Sequence, residues 1–460
     1  MSAEPTRIDR QVFKTYDLRP RGAFNEEGAV VYRSGSSSCR GRVAVALVAA
    51  GALVLSGCGR SSESTGTADA GPAVDNSPAT GDVTIWAAQN EGKTLSALAK
   101  SFTAENPGVR ITVTPVSFDE LPRKVDTAVA SGQVPDIIQP STGLQSFVAT
   151  GGIAPVPDGV TDPKDFFEPA VSAVTFHGIR YAVPWYVTVQ SFYYRADLAK
   201  KAGVEAPKTW DDTIKFGKAL KNAGARHGAL IYTKGTAAWQ TVLPLIYEAG
   251  GTVLKDGKFT FDTPEVITAL DHYQSFFREG VADPTVTIST AGETEAGFAD
   301  GTFGSYLTGS FSYGLALSAL HGDTAKLGLA TLPAGPKSGA GYLGGSGLAV
   351  MASAHNKDAA WKFVRYATSA QGEQKAYEIS GVLPAARTAW KSGPLAESAV
   401  GKTFASQIEN SLPQPQVLTW TEVRDAIARY AEQLARGVIS PKDAATRLQA
   451  EAEKIGTGER

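Results

Sequence analysis

The stretch from Tyr181 to Arg195 constrains the fold more than any other part of the chain. Residues 186–194 alternate in polarity, the period of a β-strand whose two faces meet different surroundings. Immediately before them, Pro184 and Trp185 break the pattern and put a large indole near the strand's start. Tyr186, Phe192, Tyr193 and Tyr194 add further rings, too much aromatic surface for a strand facing water. Such a strand either runs through a packed core or lines a cleft that holds a ligand. The stretch alone leaves both readings open.

A chain of 460 residues has room for two or three domains and a large buried core. The formal net charge of −2 gives no basic footprint for nucleic acid, and no nucleic-acid partner is expected. Both cysteines, Cys39 and Cys58, lie near the N-terminus, so neither disulfides nor cysteine-bound metals are expected in the body. His177, His227, His272, His321 and His355 show no ligand spacing, and there is neither a phosphate loop nor a Gly-x-Ser-x-Gly elbow. No metal and no cofactor is therefore expected.

Residues 43–55 form an uninterrupted apolar run behind Arg33, Arg40 and Arg42. At about 13 residues the run is short for a bilayer span and suits the apolar region of a signal peptide. It ends in Leu55-Ser56-Gly57-Cys58, which looks like a bacterial lipobox. That likeness implies lipid transfer to Cys58, cleavage before it, and a mature protein anchored at the outer face of the cytoplasmic membrane. Residues 1–57 then serve as leader and signal peptide. The first 30 residues make an odd leader, and translation from a valine codon near Val31 is the expectation. Residues 58–81, rich in Ser, Thr, Gly, Ala and Pro, are expected to form a lipidated, disordered tether, with a reach of about 25–30 Å.

From Asp82 the patterning becomes regular. Residues 82–86 read as a strand, 87–92 as a polar loop, and Leu95, Leu98, Ala99 and Phe102 as one face of a helix stopped by Asn106-Pro107-Gly108. Residues 109–113 alternate as a second strand, 118–131 read as a helix, and 135–139 as a third strand. Strands alternating with helices through short connections predict a parallel sheet, with ligands bound beyond the carboxyl ends of its strands. Residues 89–91 and 139–142 fall at such ends. Further helices are predicted at 196–202, from Thr209 with its capping-box partner Asp212, and at 239–250, 264–279, 359–366, 371–380, 420–435 and 441–454. The glycine-rich segment 344–350 suits close backbone approach or a hinge.

Taken in order, the strand ending in Trp86 and the segments ENPGVRITV, SGQVPDII, YAVPW, YYRADLAKKAGVEAPKTWDD, FADGTFGSY, LPAGP, GGSGLAV and GVLPA resemble the bacterial extracellular solute-binding proteins of family 1, the sugar receptors of ABC importers. The resemblance runs from about Asp82 to about Lys454. It implies an α/β fold of the type II periplasmic-binding-protein kind, a two-lobed clamshell in which each lobe is a sheet flanked by helices. The chain would cross between lobes near 187–191, 343–347 and 376–384. Lobe one would be 82–188 plus 347–377, and lobe two 189–346 plus 378–456. A monomer that captures a carbohydrate and delivers it to the membrane subunits of an ABC permease is the function implied.

The resemblance also implies a site. Sugars present apolar C–H faces and many hydroxyls, so their sites combine aromatic rings with placed polar groups. Matched motif by motif, the implied ligand-binding residues are Gln89, Asn90, Glu91, Ser141, Thr142, Trp185, Tyr186, Thr188, Trp239, Gln240, Phe311, Gly345, Ser346 and Trp420. Trp185→Ala is then expected to weaken binding about tenfold with little loss of stability. Thr188 stands where sugar-binding members often carry an acid, Gln190 where they often carry Arg, and Gly347 where many have Asn. The missing carboxylate removes a charge-assisted acceptor and leaves room for a modified sugar or for a non-sugar solute such as a polyamine, peptide or organic anion. A secreted glycoside hydrolase would need a recognisable acid and nucleophile pair, which the sequence lacks, so no catalytic residue is expected.

Overall fold

The computed structural model describes residues 70–117, 120–140, 143–290 and 292–458. The apolar run, Cys58, residues 59–69, and Ser141 and Thr142 of the expected site lie outside the described residues. The remainder of the expected tether is no tether. Val74 and Ala79 are buried, and Val74 N donates to Asp158 O at 2.8 Å. The buried Lys362 ammonium lies 2.8 Å from both Asp75 and Asp358, which holds the Asp75 carboxyl well below the usual carboxylate range. Residues 74–79 thus supply apolar cover and a counter-charge to the helix Lys357–Ala367. Composition alone missed this because two or three side chains do the docking.

Strand Gly81–Ala88 pairs in parallel with Val109–Val116 and with Ile137–Ile138, as the alternating strand and helix pattern predicts. The helix Gln89–Glu105 buries Leu95, Leu98, Ala99 and Phe102. It follows the strand directly, so the expected loop at 87–92 is absent: Ala87 and Ala88 finish the strand, and Gln89, Asn90 and Glu91 form the first helical turn. Gly92 looks like a turn signal in sequence. Here it lets the helix approach Pro115 so closely that an added Cβ would sit 3.2 Å from the proline Cβ. Buried Asp136 accepts hydrogen bonds from Thr84 N, Thr84 Oγ1, His355 N and Asn356 N at 2.8–3.1 Å, fastening the strand ends to the later chain.

The main sheet has nine strands among the described residues. Its central path runs Leu327–Ala330, Val183–Arg195, Gly341–Val350, Ile137–Ile138, Gly81–Ala88, Val109–Val116. Strand Val183–Arg195 is buried along almost its whole length, so its polarity alternation does not mark a wet face. Its first half pairs with Gly341–Val350 and Leu383–Pro384, its second with Ser305–Gly309 and Leu327–Ala330. Pro184 and Trp185 lie inside the strand and do not interrupt it. Proline has no N–H for the ladder, and the register against Gly341–Val350 slips beside it, between Ser346 and Gly347.

Two large cores form. Ile85, Leu98, Val183, Trp185, Leu348 and Phe363 belong to the first, and Trp239, Leu243, Tyr273, Tyr342, Trp420 and Ile427 to the second. Along Val183–Arg195 the last side chain of the first core is Val189, while in Gly341–Val350 Tyr342 packs in the second core and Leu343 in the first. Beyond Val189 the first strand carries Phe192 and Tyr193 into two smaller clusters, with Phe216 and with Tyr306, so the two hydrogen-bonded strands leave the first core side by side and only Gly341–Val350 touches the second. The third passage comes later than the expected 376–384. Leu383, Ala385, Ala389, Leu395, Phe404 and Ile408 still pack in the first core, while Gln407 already accepts from Leu332 N, Pro413 O accepts from Tyr247 OH of the second core, and Val417 joins that core. The Gly381-Val382-Leu383-Pro384 break is a β-pairing against Tyr186 and Val187 rather than an exit, and it is held by buried Glu373, which accepts from Ala386 N at 2.7 Å.

The second core encloses a titratable pair. Trp210 Nε1 donates to Glu248 Oε2 at 2.5 Å, and the same indole stacks on His272 with ring centres 4.2 Å apart. Burial pushes Glu248 up to about 8 from an ordinary 4.5, and His272 down to about 4 from 6.5. In the fold Glu248 keeps its proton while the unfolded chain loses it, so its contribution to stability is full below pH 4.5 and is lost as pH rises to about 8. His272 acts in the opposite sense, its contribution being lost as pH falls from 6.5 to about 4. The two slopes oppose between 4.5 and 6.5, and of the pair only Glu248 acts from 6.5 to 8. Thermal unfolding at stepped pH is expected to show Tm falling across that upper interval. Glu248→Gln, whose amide oxygen still accepts from Trp210, is expected to make the decline shallower, leaving the share that buried Glu373, its carboxyl likewise pushed up by burial, contributes in the same sense. An unchanged slope in the variant would mean that the carboxyl is already ionised in the fold.

Candidate functional site

A cavity of about 150 Å³ lies beside the two paired long strands, walled by Tyr186, Val187 and Leu343 of the first core and by Val417 and Trp420 of the second. Tyr186 reaches it from Val183–Arg195, and Gly345 and Ser346 from Gly341–Val350. Gly345 has φ +124°, and a Cβ there would meet Tyr186 O at 2.2 Å, so the wall at this point is bare backbone. Ser346 Oγ donates to Pro140 O at 2.9 Å. Trp420 and Arg424, four residues apart on the helix Trp420–Ala435, share its cavity-facing side. Trp420 Nε1 donates to Gln414 Oε1 at 3.1 Å. Gln145, on the short helix Leu144–Ala149, donates from Nε2 to Gln416 O at 2.7 Å, and both residues line the cavity, so this bond ties its two walls together.

The expected site residues divide sharply. Tyr186, Gly345, Ser346 and Trp420 line the cavity together. Glu91 is half-buried beside it, its carboxylate accepting from Tyr186 OH at 3.4 Å. Ser141 and Thr142 are not described, but their neighbours Pro140 and Gly143 are lining residues. Gln89 and Asn90 are exposed on the first helical turn and do not line the cavity. Trp239 is packed behind the wall, against Tyr342 and Trp420 at 5.2 and 6.1 Å between ring centres. Gln240 Nε2 donates to Tyr342 OH at 2.9 Å, and Gln240 O accepts from Gln190 Nε2 at 2.5 Å. Thr188 is half-buried opposite Gly344, beside the cavity rather than on it. Phe311 is 61% exposed, folded over Gly309 and away from the cavity.

Trp185 requires a correction. Its indole is 0% exposed within the first core, edge-on to Tyr186 with ring centres 5.5 Å apart, and it does not line the cavity. Successive strand residues point to opposite faces; Tyr186 faces the cavity and Trp185 therefore faces the core.

Motif matching missed Gln145, Gln414, Gln416 and Arg424. Arg424 carried a signal, since i,i+4 spacing puts it beside Trp420 on any helix that starts there. The glutamines carried none, because they meet only through tertiary contact. Burial and the nearby Glu91 carboxylate push the Tyr186 hydroxyl up, and burial pushes Tyr342 up to about 12, so both stay protonated donors at neutral pH. Arg424, half-buried, has its guanidinium 5.1 Å above the Trp239 ring, and burial lowers its proton affinity. Among the described residues no group of three or more His, Cys, Asp or Glu is placed to hold a metal ion. The cavity offers ring surface, neutral amides and hydroxyls, and one cation.

Comparison with known proteins gives a consistent picture. A family model described as bacterial extracellular solute-binding protein matches residues 86–374. The diacetylchitobiose binding protein DasA of Streptomyces coelicolor is 28% identical over 373 residues, covering 78% of this chain and 85% of that protein. The structure of the sugar-binding protein MalE from Xanthomonas citri superposes with TM-score 0.76 at 26% identity, over 82% of this chain and 97% of that one. The GacH receptor of Streptomyces glaucescens, solved unliganded and with acarbose, shares the fold with TM-score 0.73 at 24% identity, over 83% and 100% of the two chains.

Proposed function

Because this chain belongs to the bacterial extracellular solute-binding proteins, with the two-lobed α/β fold of the MalE-like type II binding proteins, we propose that it captures a carbohydrate outside the cytoplasmic membrane and delivers it to an ABC permease. The observation that carries the reading is the cavity between the two cores, where the Trp420 and Tyr186 rings meet the amides of Gln145, Gln414 and Gln416 and the hydroxyl of Ser346. Rings cover the apolar faces of a sugar, and neutral donors and acceptors serve its hydroxyls. Sugar binding by the similar MalE and acarbose binding by the similar GacH support the same class.

In this reading the lobes are built on the two cores, and the paired strands that leave the first core together at Val189 and Leu343 act as the hinge. Ligand favours the closed state, whose lobe surfaces then engage the permease. Cys58 carries the lipid anchor. Cys58→Ser should release the protein from the membrane fraction of its host, and a variant that stays bound argues against that anchor. The role is binding without turnover, and release of chromophore from chromogenic glycosides would overturn it.

Isothermal titration against mono- and oligosaccharides tests the main claim, and silence across the whole panel would sink it. Trp420→Leu keeps apolar bulk beside Trp239 but removes the ring plane. It is expected to weaken saccharide binding about tenfold, or 1.4 kcal/mol, with Tm lowered by only a few degrees. Unchanged affinity would place Trp420 in the packing of the second core alone.

A further inference from the structure

Among the described residues Arg424 is the one Asp, Glu, Lys or Arg that lines the cavity. Its hydrogen bond within those residues runs from Nη2 to Thr421 Oγ1 at 2.8 Å. A guanidinium has five N–H donors, so most of its capacity has no acceptor among the described residues. Asp425 and Glu422 raise its proton affinity from a distance, but both are exposed on its own helix and neither pairs with it. Beside the cavity the Glu91 carboxylate accepts from Tyr186 OH. The two buried cations among the described residues are neutralised at contact distance, Lys362 by Asp75 and Asp358 and Arg195 by Asp197 at 2.7 Å, and the half-buried Arg180, which has no acid in contact, spends its guanidinium on Thr161 Oγ1 and Thr161 O. An unpaired half-buried charge costs free energy in isolation, and in a cleft it marks a place where an opposite charge is received.

Resting on the reading of this cavity as a saccharide site, we propose that the ligand is an anionic saccharide whose carboxylate or phosphate group is received by Arg424. A planar guanidinium matches both groups in two-pronged fashion, and the charge-assisted bonds that result are stronger than those to neutral hydroxyls. The neutral amides of Gln145, Gln414 and Gln416 and the hydroxyls of Tyr186 and Ser346 are left for the sugar's own hydroxyls. A polycationic solute is disfavoured by the same charge.

Titration of the full chain with two matched pairs of probes tests the assignment: digalacturonate against neutral galactobiose, and glucose phosphate against glucose. At least one charged probe is expected to bind about tenfold or more tighter than its neutral counterpart, and whichever pair shows the preference identifies carboxylate or phosphate. Arg424→Gln is expected to bring the members of that pair within about threefold of each other, while Arg424→Lys retains part of the preference. Raising NaCl from about 20 to about 300 mM is expected to weaken the charged probe several-fold and leave the neutral one unchanged. That measurement on the unaltered protein, together with Arg424→Lys, decides the matter if Arg424→Gln fails to fold. Neutral saccharides binding as tightly as the charged ones would overturn this inference and leave the receptor reading intact. If no saccharide of either kind binds, both fall.

Discussion

Replacing Trp185 with alanine is expected to destabilise the protein by about 3–5 kcal/mol, the cost of emptying a large buried aromatic site. The indole has no exposed surface and packs in one core with Ile85, Val183, Leu348 and Phe363. Its Nε1–H has no hydrogen-bond partner among the described residues, so removing the ring recovers a little of the cost of a buried unpaired donor. Trp185→Phe keeps ring packing and discards that donor, and is expected to cost under about 1.5 kcal/mol. Denaturant unfolding of the two variants checks both values. This reverses the expectation drawn from motif position, which had Trp185→Ala weakening binding with little loss of stability. If Trp185→Phe retains its stability but loses saccharide affinity tenfold, the indole touches ligand after all and the core assignment is wrong.

The second large effect is expected at Gly345. Its φ of +124° is a conformation that residues with a Cβ rarely adopt, and the added Cβ would stand 2.2 Å from Tyr186 O and 2.8 Å from Val187 Cα. These are backbone atoms of the neighbouring strand and cannot rotate away. Gly345→Ala is therefore expected to cost about 3 kcal/mol and, by spreading the strands beside Tyr186, to weaken ligand binding as well. Gly344 supplies the control. An added Cβ there meets Thr188 Oγ1 at 2.5 Å, a side-chain atom that can turn aside, so Gly344→Ala is expected to cost much less. Equal losses in the two variants would show that the paired strands yield locally and that the backbone at Gly345 is not a rigid wall.

Much of the secondary structure was legible because it rests on short-range physics. The apolar face of Leu95, Leu98, Ala99 and Phe102 makes a helix wherever it is placed, and the capping box at Thr209 and Asp212 forms as the spacing predicts. The boundaries that moved did so for contacts outside the local window. Pro115 accommodates Gly92 and lets a helix begin where a loop was expected. Lys362 draws Asp75 and its neighbours onto the body where a tether was expected. Phe167 N donates to Ala385 O at 3.1 Å, and Glu373 takes Ala386 N, which keeps the chain in the first core past the expected third crossing.

The cleft shows the same limit at the level of single side chains. By itself the sequence determined that the chain alternates strands and helices; its resemblance pointed to the clamshell fold and put residues 185 and 186 together in the cleft, with the strand beginning only at 186. Period two carries no information about which side is the core. Only the tertiary structure decided that Trp185 is packed and Tyr186 is presented, because the answer depends on strands and helices that reach this point from more than a hundred residues away in the chain. The same distance hid which charge enters the cleft. Arg424 comes to stand near Tyr186 only because the last helices pack on the second core and turn their first turn toward the strand on which this protein is built.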